Sequence, residues 1–148
     1  MLNLSGISTL LFDLGGVIIN IDYHETSKAF QLLGFEHFAD VYTQHTQSSL
    51  FSNFETGKTT SEQFRNFIRQ NSKQSLTDQQ IDDAWNAMIF DFPSTRLKLL
   101  KQLKSQYQLV LFSNINPIHL AKVQLIQQQT LAKMFYKKHS ITCFTLTN

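Results

Sequence analysis

A single aspartate at the end of an apolar run is the feature that most constrains this chain. The run Leu10–Phe12 delivers Asp13 onto a turn that contains Gly15 and Gly16. An apolar run of this kind is typical of a buried parallel strand, and open α/β sheets bind ligands outside the carboxyl ends of such strands. We therefore predict that Asp13 stands at the rim of a parallel sheet.

A second apolar run, Leu109–Phe112, ends in Ser113 and Asn114. Strands that are separated by helices are expected to lie parallel and adjacent, so their carboxyl ends bring Asp13 close to Ser113. A carboxylate beside a hydroxyl, an amide and backbone N–H groups suits a phosphate, because the aspartate can attack while neutral donors hold the oxygens. The alternative is that these residues belong only to turns and helix starts.

The segment after the first strand contains several sequence signals for the start of a helix. Three capping boxes are predicted, in which side chains satisfy the N–H groups of a first helical turn: Asp22 with Glu25, Thr60 with Gln63, and Thr77 with Gln80. Leu76 and Ile81 add a hydrophobic staple to the third box. Helical spacing also favours helix over residues 35–54, and the stripe that contains Trp85 is interpreted as packing surface rather than a cofactor site.

The second part of the chain continues as helix, strand and helix. Pro93 opens a helix, and Asn116 with Pro117 forms an N-cap and first-turn pair after the second apolar run. Residues 141–146 alternate in a way that suits a third strand. The order of strand, helices, strand and helix is typical of the α/β class.

Charge is distributed unevenly along the 148 residues. Residues 1–91 carry eleven acidic and five basic side chains, whereas residues 92–148 carry eight basic and no acidic ones. A basic half can mark a nucleic-acid-binding surface. The lysines are spread along amphipathic helices without interleaved aromatic residues, which favours a solvated face, so nucleic acid is the weakest of the candidate partners.

Other classes of protein are excluded by what the sequence lacks. No apolar run is long enough to cross a membrane and the first ten residues do not form a signal peptide, so we expect a cytoplasmic protein without a membrane partner. Cys143 has no companion for a disulfide or a zinc site. The five histidines lack metal-ligand spacing and suit surface or helix-end roles, although His119 follows the second run closely enough to approach a bound substrate.

Two motifs resemble those of a known superfamily. Residues 10–18, Leu-Leu-Phe-Asp-Leu-Gly-Gly-Val-Ile, are similar to the first motif of the haloacid dehalogenase-like (HAD) hydrolases, and residues 109–114, Leu-Val-Leu-Phe-Ser-Asn, are similar to the second. Between them, residues 54–58 and 84–88 resemble stretches in the caps of bacterial sugar-phosphatase-like members. The resemblance covers residues 7 to about 129.

The resemblance implies a Rossmann-like parallel sheet core, incomplete with about three strands, over residues 1–20 and 91–148, and an inserted helical cap over residues 21–90. It implies a magnesium-dependent phosphatase of small phosphate monoesters, with a small phosphorylated metabolite as its partner.

The resemblance also assigns roles to individual residues. Asp13 would be the nucleophile that becomes an aspartyl phosphate, and Ser113 and Asn114 would bind the phosphate. Mg²⁺ would be held by the Asp13 carboxylate and the Gly15 backbone carbonyl, where it offsets phosphate charge that repels the attacking carboxylate.

The sequence departs from the family pattern in two places. Gly15 stands where the usual phosphatase carries a second aspartate that protonates the leaving group, a contribution of roughly 10² to 10⁴-fold. No acidic residue follows Asp91 to serve as the fourth motif, and neither Lys137 nor Lys138 has the context of the third. We therefore expect a chain truncated relative to the family, with magnesium binding weakened or lost.

These departures keep a second hypothesis open, in which the chain is a non-catalytic remnant that acts as a binding or oligomerising module. Without the later strands of the family, the strand that bears Asp13 becomes a sheet edge with unpaired backbone groups and an uncovered face. We therefore expect self-association through this edge.

Overall fold

A computed structural model describes residues 6–42 and 49–135, which form two strands and seven helices. The elements in chain order are β1 (Thr9–Phe12), α1 (Tyr23–Leu32), α2 (Phe38–Val41), α3 (Ser49–Glu55), α4 (Ser61–Asn71), α5 (Asp78–Asn86), α6 (Ser94–Leu103), β2 (Gln108–Leu111) and α7 (Pro117–Phe135). The fold is α/β, with the small parallel sheet and the helical insertion that the sequence predicts. None of these helices is both long and apolar enough to cross a membrane. The third strand predicted for residues 141–146 lies outside the described residues.

The two strands pair in parallel, as the crossover argument predicts. Their register runs from Thr9 opposite Gln108 to Phe12 opposite Leu111. Leu11 of β1 remains 64% exposed while Leu10 and Phe12 are partly buried, which corrects the expectation of a buried strand and agrees with the expected uncovered face. In the described part of the chain only two strands form the sheet, and Leu11 and Val110 on one of its faces are exposed.

The described chain divides into two compact units. The first contains β1, α6, β2 and the C-terminal part of α7, and the second contains α1 to α5 with the N-terminal part of α7 up to Leu125. Residues 114–125 therefore pack with the helices that follow β1, whereas the sequence-based division grouped them with the core. The predicted boundaries of core and cap stay predictions.

Two of the three predicted capping boxes are confirmed. At the start of α4 the Thr60 hydroxyl accepts from the Gln63 backbone N–H and the Gln63 side chain accepts from the Thr60 N–H, and α5 begins in the same way. Asp22 does cap α1, by accepting from the His24 N–H at 2.9 Å. Its predicted partner Glu25 instead pairs with Lys28 at 2.7 Å, so the side chains form an ion pair on the helix surface rather than a box.

Aromatic rings form the core of the second unit. Trp85 and Phe51 are fully buried, and their ring centroids lie 5.7 Å apart. Further buried rings surround them: Phe30, Phe35, Phe38, Tyr42, Phe54 and Phe64. Edge-to-face and offset pairs of this kind stabilise a core beyond the area that they bury, which accounts for the use of many of the 13 phenylalanines.

Truncation of Phe51 should expose how much the second unit depends on this core. Because the ring is fully buried among other rings, we expect Phe51→Ala to lower the free energy of unfolding by about 3 to 5 kcal/mol. Urea unfolding followed by the fluorescence of Trp85, the single tryptophan, measures the change. Phe90→Ala is the matched control, since Phe90 is 45% exposed, and an equal loss in both variants would contradict the assignment of the core.

Candidate active site

The parallel pairing of β1 with β2 sets the position of the predicted catalytic residues. Phe12 and Leu111 are register partners, and the Phe112 N–H donates to the Phe12 carbonyl at 2.8 Å. Asp13 directly follows Phe12 and Ser113 directly follows Phe112, so each residue lies just beyond the last hydrogen-bonded position of its strand. Because parallel strands end at the same edge of a sheet, both residues lie at the carboxyl edge that the sequence predicts as the site.

Asp13 presents its carboxylate on an ordered turn rather than in a buried pocket. Its side chain is exposed, and Oδ1 accepts the N–H of Leu14 at 2.7 Å. The short hydrogen bond to the backbone holds the carboxylate near one orientation, which is what an attacking oxygen needs.

The turn after Asp13 is closed by backbone hydrogen bonds and anchored by buried side chains. The N–H groups of Ile18 and Ile19 both donate to the Leu14 carbonyl, at 2.9 and 3.0 Å, and Gly16 N–H donates to the Ile19 carbonyl at 2.9 Å. Gly16 has φ 71°, a conformation that a residue with a side chain adopts only at a cost. Leu14 and Ile19 are 6% and 2% exposed, so the turn is held at both ends by apolar burial.

The predicted phosphate-binding pair is divided between the two units. Ser113 is partly buried and belongs to the first unit with Asp13, whereas Asn114 is exposed and belongs to the second. The assignment of Ser113 and Asn114 as phosphate ligands stays a prediction. Two residues later, the Asn116 side chain accepts the His119 N–H at 3.0 Å and caps α7, as its position before Pro117 predicts.

A buried polar cluster at the start of α7 escaped the sequence analysis. His119, which the sequence assigns to the surface or a helix end, is only 8% exposed, and its ring stacks on Trp85 with centroids 4.8 Å apart. His119 Nδ1 lies 3.0 Å from Asn86 Oδ1, and Trp85 Nε1 donates to Asn116 Oδ1 at 3.4 Å. The N-cap pattern locates the backbone of His119, but no local signal links its ring to a residue 33 positions earlier.

Burial sets the protonation state of this cluster. Loss of hydration lowers the pKa of His119 to about 3, so the ring is neutral near pH 7. With its proton on Nδ1, the neutral ring would donate to the Asn86 amide oxygen, which only accepts hydrogen bonds. His119 Nε2 and Asn116 Nδ2 are buried without a hydrogen-bond partner among the described residues.

The residues present fit a magnesium ion only in part. Within residues 6–42 and 49–135, no group of three or more His, Cys, Asp or Glu side chains is placed to hold a metal. Asp13 offers one carboxylate, and Gly15 lies two residues later in the same turn. Mg²⁺ is often held by one or two carboxylates together with waters and substrate phosphate, so these two residues could contribute ligands without forming a complete cage.

Comparison with curated proteins identifies a phosphatase that is similar in sequence. The chain is 29% identical over 111 residues to a D-ribitol-5-phosphate phosphatase from Bacteroides thetaiotaomicron, and the match covers 75% of this chain and 54% of that protein. No family model matches the sequence. The chain thus spans about half the length of this curated relative.

Solved structures of HAD enzymes share the fold. A HAD family enzyme from B. thetaiotaomicron, crystallised as an aspartate-to-alanine mutant with magnesium and inorganic phosphate, superimposes with a TM-score of 0.75 at 37% identity, over 80% of this chain and 58% of that one. Its magnesium complex gives a TM-score of 0.73. A HAD-like family hydrolase from Porphyromonas gingivalis gives a TM-score of 0.65 at 28% identity, over 76% of this chain and 53% of that one. Magnesium is therefore the metal found with the B. thetaiotaomicron HAD family enzyme.

Acid should destabilise the second unit through His119. The pKa of the ring is about 3 in the folded chain and about 6.5 when unfolded, so the unfolded state binds more protons between these values. The contribution of His119 to the free energy of unfolding is therefore full above pH 6.5. It falls as the pH is lowered, by up to about 1.4 kcal/mol per pH unit. Urea unfolding by Trp85 fluorescence between pH 7 and pH 5 measures this slope.

The matched variants are His119→Gln, which removes the titrating group, and His24→Gln, which removes an exposed histidine on α1. We expect the first to flatten the slope and the second to leave it unchanged. Identical slopes in the unaltered chain and in His119→Gln would contradict the burial of a neutral imidazole.

Proposed function

We propose that this chain, which is similar to haloacid dehalogenase-like hydrolases and has a helical cap, carries the nucleophile and part of the phosphate site of a magnesium-dependent phosphatase. The substrate class is a small phosphate monoester, which is also the class named in the D-ribitol-5-phosphate phosphatase that the chain resembles. Since the chain spans 54% of that protein, the activity of the whole enzyme is part of the proposal.

One observation carries the proposal: Asp13 and Ser113 each lie just beyond the last hydrogen-bonded residues of two paired parallel strands. Phe12 and Leu111 are partners in the register, and the Phe112 N–H bonds to the Phe12 carbonyl. A carboxylate and a hydroxyl that leave a sheet at one edge can approach the same phosphoryl group from different sides. The ordered turn behind Asp13 adds the preorganisation that nucleophilic attack requires.

In the proposed reaction, a carboxylate oxygen of Asp13 forms a bond to phosphorus while the bond from phosphorus to the substrate oxygen breaks. The Ser113 hydroxyl donates to a phosphoryl oxygen, and water then hydrolyses the aspartyl phosphate to regenerate the carboxylate and release inorganic phosphate. Magnesium, when bound, neutralises charge on the phosphoryl group.

Gly15 limits which leaving groups this site can release. The position after Leu14 carries no side chain, so the Asp13 turn provides no second carboxyl group to protonate the departing oxygen. Alkyl phosphates need that proton, whereas aryl phosphates leave as stable phenolates. We therefore infer a preference for substrates with acidic leaving groups unless another residue supplies the proton.

Replacement of the nucleophile tests the proposal. We expect the chain with Mg²⁺ to hydrolyse p-nitrophenyl phosphate, whose leaving group needs no proton, and Asp13→Asn to abolish turnover because an amide oxygen is a poor nucleophile. Absorbance of the released nitrophenolate measures the rate. Asp40→Asn is the matched control, since Asp40 is an exposed aspartate on α2. Equal rates in the unaltered chain and in Asp13→Asn would show that Asp13 is not the nucleophile.

A second candidate function, a non-catalytic oligomerising module, is favoured by a sheet face that is exposed among the described residues. Four apolar side chains in or next to the two strands are exposed: Ile7 at 43%, Leu11 at 64%, Val110 at 36% and Phe112 at 69%. A second copy of the chain offers the same apolar face and the same strand edge, so a two-fold pairing buries both at once.

A charge placed on this face should prevent self-association. We expect the unaltered chain to sediment as a dimer or larger species and Leu11→Lys to sediment as a monomer, because burial of an unpaired ammonium is costly. Leu32→Lys is the matched control, since Leu32 on α1 is 82% exposed and lies in the other unit. A monomeric unaltered chain in sedimentation velocity would reject the oligomerising role.

A further inference from the structure

The stretches of sequence that form the first unit, residues 1–20, 91–113 and 126–148, contain two acidic residues, Asp13 and Asp91. Asp13 is the proposed nucleophile, and its carboxylate cannot attack phosphorus and supply a proton in the same step. Gly15 has no side chain, so the turn after Asp13 contributes no acid. Asp91 is therefore the carboxyl group of this unit that is available for proton transfer.

The turn after Asp13 folds back on itself, so that its last residues lie beside its first. The Ile19 N–H donates to the Leu14 carbonyl at 3.0 Å, and Ile19 pairs with Gly15 in an isolated bridge. Ile19 is 2% exposed, so burial of its side chain stabilises this pairing. Asn20, the next residue, therefore lies beside the start of the turn that presents the Asp13 carboxylate.

Two hydrogen bonds attach Asp91 to this turn. The Asn20 N–H donates to the Asp91 carbonyl at 3.0 Å, and Asn20 Nδ2 donates to Asp91 Oδ1 at 3.1 Å. Because backbone and side chain are both bonded, the carboxyl group is held near one orientation relative to Asn20. Asp91 is exposed, so a ligand in solution can reach that group.

We propose that Asp91 is the proton donor of the phosphatase reaction assigned to Asp13. The inference rests on that proposed function, and the residues that carry it, 13–20 and Asp91, all belong to the first unit. Gly15 and Asp91 lie on neighbouring paired segments of one turn, since Ile19 pairs with Gly15 and Asn20 with Asp91. Asp91 thereby supplies the acid that Gly15 does not carry.

The proton is conserved over the two steps of the reaction. While a carboxylate oxygen of Asp13 bonds to phosphorus and the bond from phosphorus to the substrate oxygen breaks, the protonated Asp91 carboxyl group gives its proton to that oxygen and the alcohol departs. In the second step, the Asp91 carboxylate takes a proton from the water that attacks the aspartyl phosphate. Inorganic phosphate leaves, Asp13 is a carboxylate again, and Asp91 is protonated for the next turnover.

A comparison of two substrates tests this role. Glycerol 3-phosphate releases an alkoxide that needs a proton, whereas p-nitrophenyl phosphate releases a stable phenolate. We expect the unaltered chain with Mg²⁺ to hydrolyse both, and Asp91→Asn to lower kcat for glycerol 3-phosphate about 10²-fold more than kcat for p-nitrophenyl phosphate. Released inorganic phosphate measures both rates. The asparagine oxygen still accepts from Asn20, so this variant loses the acid and keeps the contact.

Asn20→Ala tests the placement of the same group. It removes the side-chain hydrogen bond to Asp91 and leaves the acid in the chain, so kcat for glycerol 3-phosphate should fall between about twofold and tenfold relative to kcat for p-nitrophenyl phosphate. Asp40→Asn is the matched control, because Asp40 is exposed and lies on α2 in the second unit. It should leave the ratio of the two rates unchanged. Remaining turnover of p-nitrophenyl phosphate shows that each variant is folded.

The outcomes separate this inference from the function on which it rests. If Asp91→Asn has the same ratio of rates as the unaltered chain, Asp91 is not the proton donor, whether both rates fall together, as for a metal ligand, or neither falls. Hydrolysis of p-nitrophenyl phosphate but not of glycerol 3-phosphate by the unaltered chain also overturns the role of Asp91 and leaves Asp13 as the nucleophile. Absence of hydrolysis of both substrates by the unaltered chain overturns the proposed function as well.

Discussion

The parallel pairing of β1 with β2 is the constraint on which the candidate site depends. These strands are separated by almost one hundred residues, yet Phe12 lies opposite Leu111 and accepts the N–H of Phe112. Each strand alone is four residues long and would not be stable in isolation. Their pairing places Asp13 and Ser113 at one edge, so a carboxylate and a hydroxyl that are distant in sequence become available to the same ligand.

The aromatic core around Trp85 plays the corresponding part in the second unit. Rings from α1 to α5 surround the indole, and α7 completes this environment through the stacked imidazole of His119. Packing of this kind leaves little freedom to the backbone at the ends of α5 and α7. The start of α7 is therefore held by the helices of its own unit, α1 to α5.

Helix caps were predictable where residues close in sequence satisfy each other's hydrogen bonds. The Thr60 and Thr77 boxes and the Asn116 cap form as predicted, since an N-cap oxygen and the N–H groups it accepts are within three residues. The box at Asp22 failed because Glu25 has a competing local partner in Lys28. Leu11 is exposed although it lies in an apolar run, because burial of a strand depends on neighbouring strands and helices that the run itself does not specify.

The sequence by itself determined the α/β class, the parallel order of the two strands, the helix starts and the identity of Asp13 as the carboxylate at a strand end. These features follow from apolar periodicity, capping chemistry and the handedness of crossovers, which can be inferred from short segments of the sequence. Only the tertiary structure decided that His119 is buried and neutral against Trp85 and Asn86. Burial and partner choice are properties of residues brought together from distant positions, and no local pattern contains them.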